Sequence, residues 1–143
     1  ERLPWKRVQR LRDYYFVGTD KKRLCEGNVS VLPEMQPEYC DLVRAADVII
    51  AKPGYGIVAD IIAHKVPVLY VERDDFPESP YLIQALNDLA TAEFLPVHDL
   101  LSGNIEPQLA GLLSRDRYWP AVALNGARIA AEKIIALAGV ASS

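Results

Sequence analysis

The 143-residue chain is short of the features that mark several functional classes. It holds only two cysteines, Cys25 and Cys40, with neither metal-ligand spacing nor a Cys-x-x-Cys redox pair. They read as free thiols of a reducing, cytoplasmic setting. No apolar run approaches the roughly 18 residues that cross a bilayer, which excludes a membrane-spanning helix of the usual kind. A basic surplus is also missing: the formal net charge is −3, which argues against a nucleic-acid partner. The early clusters Lys6, Arg7, Arg10, Arg12 and Lys21, Lys22, Arg23 read as a solvated helix face and a solvated loop. There is no Gly-x-Ser-x-Gly elbow, Walker loop or His-Glu-x-x-His pair. Internal repeats, low-complexity linkers, an initiator Met and a signal-peptide pattern are absent too, and the opening Glu1-Arg2-Leu3-Pro4 reads as the start of a fragment.

What is present is the composition of a single globular α/β domain, 50% hydrophobic and 24% charged. Strands are expected at Tyr14–Val17, stopped by Gly18-Thr19-Asp20 and followed by a charged loop, and at Val29–Leu32, Asp47–Lys52, Val68–Val71 and Ala92–Leu95. Helices are expected over Trp5–Arg12, Gln36–Ala46, Ile57–His64, Tyr81–Asp88, Ile105–Leu113 and Val122–Leu137. In the last of these, Val122, Ile129, Ile134 and Leu137 mark an inward face. Strands apolar on both faces and alternating with helices imply parallel pairing through βαβ crossovers. The expected fold is α/β, a Rossmann-like three-layer sandwich around a parallel sheet, with ligand at the C-terminal strand ends.

The segment from Ala46 to Asp60 carries the chemistry. The apolar run Val48-Ile49-Ile50-Ala51 suits a buried strand; Lys52-Pro53-Gly54-Tyr55-Gly56 makes a turn, and a helix opens behind it with Asp60 expected in its first turn. Glycines let backbone approach a ligand, and a helix N-terminus offers unpaired N–H groups and the positive end of a dipole. This is an anion site. By spacing, Gly54-x-Gly56-x-x-Ala59 fits the dinucleotide fingerprint, and Glu72 closes the next strand near the distance, about 20 residues, of a ribose-binding acid. An NAD-type oxidoreductase domain is therefore one reading. Against it, two strands precede the fingerprint, and too few follow to complete two mononucleotide halves.

From about Tyr39 to Leu86 the chain resembles the C-terminal nucleotide-binding domain of two-Rossmann-domain (GT-B) glycosyltransferases. It is similar to the transferase that adds N-acetylglucosamine to the lipid-linked peptidoglycan precursor, and to the glycosyltransferase-like N-terminal part of arabinokinases. The residues that carry this are Lys52-Pro53-Gly54-Tyr55-Gly56, its Leu42-Val43-Arg44-Ala45-Ala46-Asp47 entry, its Lys65-Val66-Pro67-Val68-Leu69 exit, and Phe76-Pro77-Glu78-Ser79-Pro80-Tyr81-Leu82. The resemblance implies a nucleoside-diphosphate sugar as ligand, UDP by default. N–H groups of Gly56, Ile57 and Val58 would hold the diphosphate and Lys52 would add charge to it, while Asp60 accepts from the ribose hydroxyls. Leu32 and the residues to Met35 would meet the base; Glu78 and Ser79 stand where the family contacts donor-sugar hydroxyls. The family's usual hydroxyl residue at Ile57 and its Gln at Ser79 are absent here, and Asp60 is shorter than the family's Glu.

The resemblance further implies a partner N-terminal domain of the same protein, holding the acceptor and any general base, and leaves room for peripheral membrane association of the full-length protein. No catalytic residue, cofactor or metal is assigned to this chain. The carboxylates of Glu72, Asp74, Asp75 and Glu78 are read as a solvated acidic loop, and His64 and His98 as surface residues. The blander alternatives are a tight strand-to-helix turn without ligand and a degenerate regulatory domain.

Overall fold

In the computed structural model, residues 4–20, 24–33, 39–72 and 76–139 are described. A short helix, α1 (Trp5–Val8), precedes strand β1 (Phe16–Thr19). β2 (Leu24–Glu26) and β3 (Val29–Leu32) then form a hairpin. Helix α2 (Tyr39–Ala45) leads to β4 (Ile49–Ala51), α3 (Tyr55–His64) and β5 (Val68–Tyr70). The chain ends with α4 (Ser79–Leu89), β6 (Ala92–Phe94), α5 (Val97–Ser102), α6 (Glu106–Ser114) and α7 (Gly126–Leu137). The α/β class and the parallel core expected from the sequence are both present.

The strands form two three-stranded sheets, ordered β1-β3-β2 and β4-β5-β6. The second is wholly parallel, with Ile49 opposite Val68 and Val68 opposite Ala92. Its central strand explains the layering. Val68 and Tyr70 join a core with Val58 and Ile61 of α3 and Leu82 and Leu86 of α4. Leu69 and Val71 point the other way, into a core with Leu95, Ile105 and the α6 residues Leu109 and Leu112. A strand buried on both faces between helical layers is what makes the fold a three-layer, Rossmann-like one. Val29 and Val31 of β3 and Val8 of α1 enter this second core as well, so the two sheets share one apolar interior.

The first sheet departs from expectation in two places. The charged loop contains β2, which pairs antiparallel with β3 through a two-residue Gly27-Asn28 turn. Gly27 has φ 58°, the first-position glycine of a type II′ hairpin. The Asn28 Nδ2 donates to the carbonyls of Leu11 and Tyr14, both at 2.8 Å, and ties the turn to the chain entering β1. β1 itself lies further along than Tyr14–Val17 and runs through Gly18, which the sequence marks as a stop. The Trp5 ring covers that glycine so closely that a Cβ there would sit 2.3 Å from its Cη2. Gly18 is thus a packing position inside the strand.

Among the described residues, β1 and β4 each keep one bare edge. Phe16 and Asp20 give their N–H groups to Asn28 and Leu32 of the β3 side, so Val17 and Thr19 direct theirs to the opposite edge. Ile50 does the same on β4, since its neighbours Ile49 and Ala51 bond to the β5 side. Between these edges lies an open cleft of about 690 Å³, lined by Trp5, Tyr14, Phe16, Tyr39 and Ile50 among others.

Helix boundaries follow local chemistry. α3 ends at Lys65, which takes the left-handed conformation (φ 57°), and the Val66-Pro67 that follows cannot continue a helix. After α6, Arg115 pairs with Glu93 at 2.7 Å and the Tyr118 N–H donates to Thr91 Oγ1 at 2.8 Å, while Trp119 packs on the α3–α4 core. This clamps the crossing segment to the sheet. The last helix begins at Gly126, not Val122, and is exposed throughout; Ile129, Ile134 and Leu137 face solvent instead of closing the fold. Its apolar stripe has no counterpart among the described residues.

Candidate functional site

The Lys52–Gly56 turn leaves the C-terminal end of β4. Pro53 within it is fully buried, which fixes the turn against the domain, whereas Lys52 beside it is exposed. Gly54 is the N-cap of α3, with φ −149° and ψ 159°, ordinary extended backbone. The Gly54 carbonyl accepts the Val58 N–H at 3.0 Å, the first bond of the helix. The N–H groups left for an outside acceptor are accordingly those of Tyr55, Gly56 and Ile57. Val58 is engaged within the helix and buried, and Ile57 packs its side chain on the α3–α4 core.

Neither glycine is demanded by positive φ or by close packing: a Cβ built on either would meet nothing within 4 Å among the described residues. A glycine inside the first turn of a helix costs about 0.5–1 kcal/mol relative to alanine. Gly54 stands at the N-cap, which glycine suits, but Gly56 lies inside the helix and no packing among the described residues offsets its cost; together they leave open space over the helix N-terminus.

Asp60 lies in the second turn of α3, not the first, because the helix starts at Tyr55. This correction moves it away from the dipole end. It also places Gly56 four residues before Asp60, hence on the same face and about 6 Å nearer the N-terminus. Side chains of a helix lean toward its N-terminus, so Asp60 and Gly56 share one strip of the α3 surface. Asp60 is half-buried, and no ion pair links it to His64 among the described residues.

Glu78 is the N-cap residue of α4, whose helix packs beside α3. The Glu78 carbonyl accepts the N–H groups of Tyr81 and Leu82, both at 3.1 Å, and its side chain caps nothing. Ser79 is 6% exposed, and its hydroxyl makes no hydrogen bond among the described residues. Because β4 and β5 are parallel, the segments that carry Lys52–Gly56 and Glu78–Ser79 both follow the C-terminal ends of their strands, at one end of the second sheet. Leu32 stands apart at the end of β3 in the first sheet, its carbonyl accepting the Asp20 N–H at 3.1 Å. The rest of its loop, residues 34 and 35, lies outside the described residues, as do Lys21, Lys22, Arg23, Asp74 and Asp75.

One neighbour of Asp60 is not marked by any sequence pattern. Tyr39 opens α2, which packs against α3, and it is 52% exposed on the wall of the cleft between the sheets. Its phenol is held above the usual tyrosine pKa, first by partial burial and then by the Asp60 carboxylate and Cys40. The neutral, proton-bearing form therefore persists to higher pH. None of the residues expected at the nucleotide site lines the cleft itself. Cys25 and Cys40 are both exposed, neither forms a disulfide among the described residues, and Cys25 Sγ lies 3.7 Å from Ser30 Oγ.

Among the described residues no helix is long and apolar enough to cross a membrane. No family model matches the chain, and no solved structure matches it. Among curated proteins it is similar to the L-arabinokinase of Arabidopsis thaliana, 34% identical over 91 residues. The aligned part is 64% of this chain but 9% of that protein, so the match spans under a tenth of its relative.

Proposed function

We propose that this domain binds a nucleoside-diphosphate sugar, UDP-linked by default, as the nucleotide half of a GT-B-type glycosyltransferase-like protein. The observation that carries the reading is Gly56, a helix glycine that neither backbone nor packing requires. Its missing side chain joins two groups a nucleotide needs: the N–H groups at the start of α3 and the Asp60 carboxylate one turn further on. Diphosphate oxygens would meet Tyr55, Gly56 and Ile57, with Lys52 supplying a point charge as the leaving diphosphate gains negative charge in transfer. The ribose would lie over Gly56, within reach of Asp60. Glu78 and Ser79 would face the donor sugar. The similarity to a protein named for a sugar kinase supports a place in sugar chemistry. The acceptor and the general base belong to an N-terminal partner domain in this reading, so the chain alone binds without turnover.

Titration calorimetry on the chain tests this with UDP and with NAD. Saturable UDP binding is expected and NAD binding is not; the reverse would establish the dinucleotide reading. Asp60→Ala is expected to weaken UDP about 10- to 100-fold, the usual loss of hydrogen bonds to a charged group, with an unchanged thermal midpoint. Gly56→Ala is expected to raise that midpoint while weakening UDP binding. Equal affinity in Gly56→Ala would remove the main support for the site.

A further inference from the structure

We propose that the cleft between the two sheets is the seat of one further β-strand, supplied by the same polypeptide from outside these residues, which joins both sheets into one. β1 and β4 both line the cleft and are not paired with each other. Val17 and Thr19 on β1, and Ile50 on β4, turn their N–H and C=O groups away from the strands that β1 and β4 already pair with. Such rows of unpaired donors and acceptors are what an extended peptide backbone satisfies. The side chains of these edges are those of interior strands. β1 (Phe16-Val17-Gly18-Thr19) and β4 (Ile49-Ile50-Ala51) carry no charge, whereas the outermost strands β2 and β6 carry Glu26 and Glu93. Charge is one of the means by which exposed edges are kept from pairing. The outer edges have it and the inner ones do not.

The occupant is constrained by the seat. It must have both edges free, and among the described residues each strand is already paired on at least one side, so a second copy has none to lend. It must be apolar on both faces, because Leu42 and Val43 of α2 wall the cleft from the α3 layer while Leu109 and Leu113 of α6 wall it from the opposite layer. Val17 and Leu113, 48% and 40% exposed, are the apolar surface it would cover. A length of four or five residues, roughly 13–17 Å, matches the strands on either side. β3 reaches β4 through α2, the helical crossover that joins parallel strands, so the occupant runs parallel to both neighbours. Trp5 and Val8 of α1 also line the cleft, and α1 leads into β1. A strand joined ahead of α1 therefore has reach into the seat and would form a right-handed strand–helix–strand unit with β1. The arabinokinase carries its aligned stretch as 9% of its own length, a precedent for such a domain within a longer chain.

Amide exchange followed by NMR tests this on the 143-residue chain and on the longer polypeptide that contains it. In the 143-residue chain, the Val17, Thr19 and Ile50 amides are expected to exchange at nearly unprotected rates. In the longer polypeptide all three are expected to slow by about 100-fold or more, while the outer edges of β2 and β6 exchange as before. Cross-strand Overhauser contacts should then run from Val17 and from Ile50 to one and the same added segment. Equal exchange in both polypeptides overturns the inference. Slowing without those contacts overturns it too, because a covering surface and not a strand then fills the cleft. Sedimentation of the 143-residue chain supplies the last outcome: a dimer in which the three amides are already protected would assign both edges to a second copy and sink the proposal.

Discussion

Replacing Leu69 with alanine is expected to lower the unfolding free energy by about 2–5 kcal/mol, the range for deleting a buried leucine side chain. Leu69 is fully buried at the centre of β5, the middle strand of the parallel sheet. Its side chain meets Leu95, Ile105 and the α6 leucines, in the core that Val29 and Val31 of the first sheet also enter. Three separately built parts converge on it, so no single element can move in to fill the cavity. That places the loss toward the upper end of the range. Urea unfolding of the two chains measures it: the midpoint should fall with little change in slope. A loss below about 1 kcal/mol would mean that the site collapses around the alanine and that the two sheets are less firmly docked than their common core implies.

Gly103→Ala is expected to cost about 2–4 kcal/mol for two separable reasons. Gly103 ends α5 at φ 76°, where a Cβ crowds the following carbonyl. That Cβ would also lie 2.7 Å from Arg7 Cβ and 3.3 Å from the Arg7 carbonyl carbon. These atoms belong to or adjoin the backbone and cannot swing aside. α1 is held in place by Val8 in the core and by Arg7 Nη1, which donates to the Leu101 carbonyl at 2.6 Å. Gly103→Asn separates the causes, because asparagine tolerates the left-handed region yet still carries a Cβ. Thermal unfolding should show it nearly as damaged as the alanine variant. An asparagine variant close to the parent would assign the cost to backbone conformation alone.

The parts legible in the sequence are those where one short segment settles the outcome. Val68-Leu69-Tyr70-Val71 reads as a buried strand because both faces are apolar, and it is the strand covered on both sides. The anion turn is legible because strand, glycines and helix are contiguous. β2 was also within reach, since Gly27-Asn28 between two short apolar runs is a hairpin signal, but the charges of residues 20–26 mask it. Other features depend on tertiary contact. Gly18 reads as a break until Trp5 is seen to cover it, and the packing of α2 on α3 joins two helices separated by a strand. The amphipathic stripe of α7 signals a buried face only where a partner surface exists, and its residues are exposed here.

The division into two sheets bears on the order in which the chain folds. Every strand pairing of the first sheet lies between Phe16 and Leu32, and every pairing of the second between Ile49 and Phe94. Neither sheet needs a strand from the other to complete its ladder, so each is a sequence-contiguous unit with modest loop-closure entropy. The second sheet owns the α3–α4 core outright and has the means to condense first. The first sheet is then expected to dock late, by burying Val29 and Val31 in the core that holds Leu69 and Leu95. In a folding experiment the hairpin side would be the last region to gain protection from hydrogen exchange and the first to lose it.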